Sequence, residues 1–207
     1  MIQIIRYAGS DRKNRAYELR RAFAACYGSA VKMPEIRKTA KGKPYFIMAE
    51  NEPQIFLSIT DSGQWRMIAF SDSEIGIDLQ FCHMHGAGTE EDNWRKCMGI
   101  AKRFFHPAEY EWICRGESSE NDTERQIQMM RFFRIWTARE ALVKFMGNGF
   151  DGTFRSFDVL HDFPELYFDF PETLEDFTLC VCHAEKEQVM QREISILRKE
   201  NGQWLSD

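Results

Sequence analysis

Trp136-Thr137-Ala138-Arg139-Glu140-Ala141-Leu142-Val143-Lys144 is the stretch on which this chain turns. As a helix, its spacing at i, i+4 and i+8 puts Trp136, Glu140 and Lys144 on one stripe. A carboxylate one turn before an ammonium can hold a metal and a phosphate together, although a solvated ion pair uses the same spacing. Upstream, Glu74-Ile75-Gly76-Ile77-Asp78-Leu79-Gln80 alternates as a strand does. Ile75, Ile77 and Leu79 share one face; Gly76, Asp78 and Gln80 share the other. The strand therefore offers a second carboxylate, Asp78.

Working outward, residues 123–146 read as one long helix stopped by Gly147 and Gly149. Before it come a helix carrying Trp94, Met98, Ala101 and Phe105 on one side, and a helix with Pro107 in its first turn running through Tyr110 and Ile113. A connection at 86–92 and a polar segment at 117–122 separate these units. After the long helix, residues 156–160, 177–182 and 193–198 are expected as strands. Toward the N-terminus, residues 1–8 read as a strand. Asp11 is expected to cap a helix with Ala16, Leu19, Phe23 and Tyr27 at helical spacing, ending at Gly28. Lys41-Gly42-Lys43-Pro44 is a turn into a strand at 45–48. Residues 54–60 and 65–70 form a hairpin around Asp61-Ser62-Gly63-Gln64. The fold class is α+β.

A chain of 207 residues with 43% hydrophobic content can bury a core. No apolar run approaches the roughly 18 residues of a membrane span, and Met-Ile-Gln-Ile-Ile-Arg lacks a leader pattern, so a cytoplasmic protein without membrane association is expected. Cys26, Cys82, Cys97, Cys114, Cys180 and Cys182 lie in apolar neighbourhoods rather than at zinc or disulfide spacings, which suits buried thiols in a reducing compartment. Cys82-His83-Met84-His85, beside Gly86 and Gly88, reads as a loop. Residues 1–50 hold eleven basic side chains against four acidic ones in a chain of net charge −5. That asymmetry points to a locally bound anionic ligand rather than to nucleic acid, which calls for a broader basic surface.

Gly42-Lys43-Pro44-Tyr45, the segment 57–65, Gly76-Ile77-Asp78, Lys102-Arg103-Phe104-Phe105 with Glu109-Tyr110, and Trp136 through Lys144 followed by Gly147-Asn148-Gly149-Phe150 occur here in that order. In this combination the chain resembles the surfactin-type 4′-phosphopantetheinyl transferases over about two-thirds of its length. The resemblance implies a pseudo-dimer of two similar α+β halves with the active site between them. Residues 1–75 would supply basic coenzyme A contacts and residues 76–207 the metal-site carboxylates. It implies an enzyme, complete as a monomer, that moves the phosphopantetheine arm of coenzyme A onto a serine of an apo acyl or peptidyl carrier protein. The reaction would use Mg²⁺, or Mn²⁺ in its place, and release adenosine 3′,5′-bisphosphate.

On the same resemblance, Asp78 and Glu140 hold the metal, with Gln80 as a further ligand, and Glu140 takes the serine proton. Lys144 steadies the departing phosphate. Lys43, fixed by Pro44, meets a coenzyme A phosphate, and Arg12, Lys13, Arg15 and Arg20 (or Arg21) are candidates for its 3′-phosphate. Thr60 and Asp61 fall in the cofactor segment. The carrier would dock on residues 101–113, with Lys102 and Arg103 steering and Phe104 or Phe105 packing against it. Two positions leave the family pattern: Gln80 stands where a glutamate is frequent, and Thr60-Asp61-Ser62 stands where a histidine lies between two serines. Those departures leave open a paralogue that binds coenzyme A or a carrier protein without catalysis. The carboxylates alone also suit a metal-dependent phosphohydrolase.

Overall fold

In the computed structural model, residues 1–8, 12–86, 88–116, 122–147, 149, 155–184, 189–193, 198–200 and 203–205 are described. In chain order the first elements are β1 (Ile2–Ala8), α1 (Arg15–Tyr27), β2 (Glu35–Lys38), β3 (Pro44–Ile47), β4 (Phe56–Ser62), β5 (Trp65–Ser71) and β6 (Ile75–Phe81). There follow α2 (Glu90–Phe104), α3 (Pro107–Cys114), α4 (Asp122–Met146), β7 (Tyr167–Asp169), β8 (Phe177–His183), β9 (Val189–Glu193), β10 (Arg198–Glu200) and β11 (Gln203–Leu205). The mixture of helices and largely antiparallel strands is α+β.

Two sheets face each other. The first has the order β4-β5-β1-β9 and the second β6-β8-β7. Ile2, Ile4, Met67 and Ala69 from the first sheet bury against Ile75, Ile77, Leu79, Leu179 and Val181 from the second, as the period-two alternation of these strands requires. The opposite face of the first sheet, with Ile5, Tyr7, Leu57, Ile68 and Phe70, receives Leu19, Ala22 and Phe23 of α1. Beyond the second sheet, α2, α3 and α4 enclose Cys97, Phe105, Phe132, Phe133, Ala141, Leu142, Cys180 and Cys182. β9 runs parallel to β1, with Ile2 opposite Val189, so the chain returns to its first sheet near the end.

Several expectations change in the structure. The β4–β5 turn is only Gly63-Gln64, because Asp61 and Ser62 stay in the ladder opposite Arg66 and Trp65; Gly63 takes φ 58°. Asn14 precedes α1 after a single 3-10 turn at Arg12–Asn14, and Asp11 lies outside the described residues. Ala16 is exposed, while Glu18 is buried beside Arg66 and its carbonyl accepts from the Tyr7 hydroxyl at 2.9 Å. Residues 156–160 are bends and turns rather than a strand. There Asp158 Oδ1 accepts from Leu160 N at 2.9 Å and Asp158 N donates to Asp162 Oδ2 at 2.7 Å, local bonds that compete with a ladder. β9 starts at Val189, ahead of the strand expected at 193–198, and residues 194–197 lie outside the described residues. β2 and β7, short and without clear alternation, had no signal.

α4 rests directly on β6. A Cβ on Gly76 would fall 2.0 Å from Ala141 O and 2.4 Å from Phe145 N, so only glycine admits this approach. A buried ion pair, Glu109 with Arg139, ties α3 to α4. Glu109 also accepts from His106 N and Val159 N, and the Arg139 guanidinium stacks over Phe157 and Phe105 at 4.1 and 5.3 Å.

Candidate functional site

Where α4 crosses β6, the polar face of the strand meets the Glu140–Lys144 stripe of the helix. Asp78 is buried, and its Oδ1 accepts from Lys144 Nζ at 2.8 Å and from Thr60 Oγ1 at 3.2 Å. Burial pushes the Asp78 carboxyl above its ordinary pKa, with Lys144 and Thr60 opposing the rise. Burial, then the Asp78 charge, pushes Glu140 up as well, against the pull of Lys144 and Arg139. Among the described residues Glu140 has no hydrogen-bond or ion-pair partner. The result is two carboxylates in a partly desolvated place with a single ammonium bonded to one of them.

Such a donor set fits a hard divalent cation. Mg²⁺ usually takes one or two carboxylates and completes its shell with water and phosphate oxygens. Among the described residues no group of three His, Cys, Asp or Glu side chains gathers for a metal, so the protein's share would be this pair. Gln80 shares the strand face of Asp78, and its Nε2 donates to Phe81 O at 3.1 Å.

Next to Lys144 opens a cavity of about 230 Å³ lined by Lys41, Lys43, Pro44, Ser58, Val143 and Gly147 among others. Three lysines on one small cavity favour an anion. Lys43, however, is engaged: its Nζ bonds Glu74 and donates to Phe145 O at 2.8 Å, so it caps the C-terminal end of α4 from the β3 turn.

The remaining basic candidates disperse. Arg15 reaches Asp61 at 3.3 Å, Lys13 is exposed, and Arg20 lines a separate cavity of about 620 Å³ between α1 and residues 29–36. Arg21 lies over the Tyr17 ring at 5.9 Å. Arg12 belongs to the 3-10 turn. Asp61 stands on the opposite face of β4 from Thr60 and is held by Arg15 and, at 3.6 Å, by its cross-strand neighbour Arg66. Its charge is thus met by two guanidiniums and turned away from Asp78. Arg66 was absent from the sequence reading; a basic residue inside an apolar β5 was the available signal.

Also unforeseen is the way β4 holds β6. Ser58, Thr60 and Ser62 accept the backbone N–H groups of Ile77, Leu79 and Phe81 at 3.0, 3.0 and 2.9 Å. The period-two spacing of three hydroxyls, Ser-x-Thr-x-Ser, was the sequence signal.

A sequence profile of the 4′-phosphopantetheinyl transferase superfamily matches residues 74–194, a range that contains Asp78, Glu140 and Lys144. The 4′-phosphopantetheinyl transferase gsp of Aneurinibacillus migulanus is 29% identical over 113 residues, 55% of this chain and 38% of its own length. A 4′-phosphopantetheinyl transferase of Bacillus subtilis is 28% identical over 155 residues, 69% of this chain and 60% of its own. The 4′-phosphopantetheinyl transferase AcpT of Salmonella typhi is 31% identical over 117 residues, 56% of this chain and 50% of its own. The chain therefore spans between 38% and 60% of these relatives.

Proposed function

Because the chain belongs to the 4′-phosphopantetheinyl transferase superfamily, we propose that it transfers the phosphopantetheine arm of coenzyme A to a serine of an apo acyl or peptidyl carrier protein. One observation carries this reading: β6 and α4 bring Asp78, Glu140 and Lys144 to one place beside a lysine-lined cavity. Asp78 and Glu140 would hold Mg²⁺, with Gln80 near enough in sequence to contact its water. The bound ion would neutralise the pyrophosphate.

The serine oxygen attacks the phosphorus that bears the pantetheine arm, and the pyrophosphate P–O bond breaks to release adenosine 3′,5′-bisphosphate. Glu140, without a hydrogen-bond or ion-pair partner among the described residues and with its carboxyl pushed up, accepts the serine proton. Lys144 is bonded to Asp78 and faces the same place, where its charge would stabilise the leaving phosphate. Lys41 and Lys43 line the cavity in which further phosphate charge would sit.

On this reading the chain is a pseudo-dimer divided near residue 75, with β9 of the second half crossing back to pair with β1, and one chain suffices for the site. Carrier docking is assigned to the end of α2, where Phe104 is exposed beneath the Arg103 guanidinium at 5.0 Å and Lys102 is exposed beside it. Phe105, by contrast, is core.

The test is incubation with coenzyme A, Mg²⁺ and a panel of apo carrier proteins, followed by intact-mass measurement of the carriers. A gain equal to the phosphopantetheine arm is expected, and its loss in Glu140→Gln. No gain with any carrier would favour a coenzyme A-binding protein without transfer.

A further inference from the structure

Thr60 is buried, and a hydroxyl has one proton to donate and two lone pairs with which to accept. Its proton goes to Asp78 Oδ1 at 3.2 Å, and it accepts Leu79 N–H at 3.0 Å. Of the three hydroxyls that join β4 to β6, the other two, Ser58 and Ser62, accept from Ile77 and Phe81. Among the described residues neither touches a carboxylate. Of the three hydroxyls, Thr60 is the one that bonds both the backbone after Asp78 and the carboxylate of Asp78.

With Lys144 on the same oxygen at 2.8 Å, the two bonds gather on Oδ1 and set the rotation of the group. A donor so committed has no proton left for a phosphate.

We propose that Thr60 is a positioning residue: its hydroxyl orients Asp78 for a divalent cation rather than contacting the cofactor itself. The reason is general, since carboxylate ligands are aimed by hydrogen bonds from behind, and losing such a bond costs metal affinity although the ligand remains. The proposal rests on the reading of Asp78 and Glu140 as metal ligands given above.

The test is Mn²⁺ binding to the free protein, followed by electron paramagnetic resonance without coenzyme A or carrier, alongside thermal melting. Thr60→Val keeps the shape and removes both bonds; about tenfold or greater loss of Mn²⁺ affinity is expected, with Thr60→Ser restoring it. Ser58→Ala and Ser62→Ala, which break only bonds to backbone, should lower the melting temperature and leave Mn²⁺ affinity unchanged. Should the valine variant not fold, Thr60→Cys, a weak donor and acceptor, should show a smaller loss in the same direction. Parental affinity in Thr60→Val or Thr60→Cys overturns the proposal, as does an equal loss in the two serine variants. Glu140→Gln separates the premises. If it loses Mn²⁺ while Thr60→Val does not, only the positioning role fails; if the parent protein binds no Mn²⁺, the functional reading fails with it.

Discussion

Burial favours the protonated form of the Asp78 and Glu140 carboxyls, and at Glu140 the Asp78 charge adds to it, which has a measurable sign. A metal binds the carboxylate, so protons compete with it. With both groups raised, the competition begins above the roughly pH 4 at which ordinary carboxyls protonate. The Mg²⁺ concentration giving half-maximal transfer should rise as pH falls toward that range, and Glu140→Gln should remove most of the dependence together with most of the activity. A Mg²⁺ requirement flat across that range would contradict the assignment. Asp61 answers differently, because its charge is spent on Arg15 and Arg66. Asp61→Asn frees Arg15 and should tighten coenzyme A by roughly two- to fivefold, the scale of an exposed ion pair. Calorimetry at rising salt should show the gain shrinking.

The contact of α4 with β6 depends on the absence of a side chain at Gly76. An alanine there would meet the backbone of Ala141 and Phe145, which cannot rotate aside as a side chain can. Gly76→Ala should therefore cost the upper end of the roughly 1–3 kcal/mol typical of overpacking, or more. It should also shift Glu140 and Lys144 away from Asp78, so that transfer falls further than the loss of folded protein explains. Denaturant unfolding beside specific activity per folded molecule checks both. Lys43 works on the same helix from the other side, capping its end through Phe145 O and lying against Gly147, where a Cβ would fall 2.9 Å from Lys43 Cδ. The sequence marks Gly76 and Lys43 as motif residues, but the contacts they make require the helix to be in place.

On the surface of the molecule, the end of α2 presents the exposed Phe104 beside the exposed Lys102 and Arg103. Phe104→Ala should raise the carrier concentration needed for half-maximal transfer without changing the melting temperature. Phe105→Ala should destabilise by roughly 3–5 kcal/mol with carrier dependence unaltered in the surviving enzyme. The reverse pattern would move docking elsewhere. Helical spacing already places Phe105 with Trp94, Met98 and Ala101 on one side, and in the structure Phe105 stacks on Phe132 while Phe104, the last residue of α2, is exposed. What the sequence by itself determined is local and periodic: strand alternation put Asp78 on the face opposite Ile77, helical spacing put Glu140 and Lys144 one turn apart, and glycines ended α1 and α4. Strand 156–160 failed because Asp158 bonds its own neighbours, and β2 escaped notice because four residues carry too little pattern. The tertiary structure alone decided that Thr60 faces Asp78 while Asp61 faces Arg15 and Arg66, and that Lys43 caps a helix 102 residues away. Those choices depend on which partners lie across space, a quantity that periodicity along the chain does not contain.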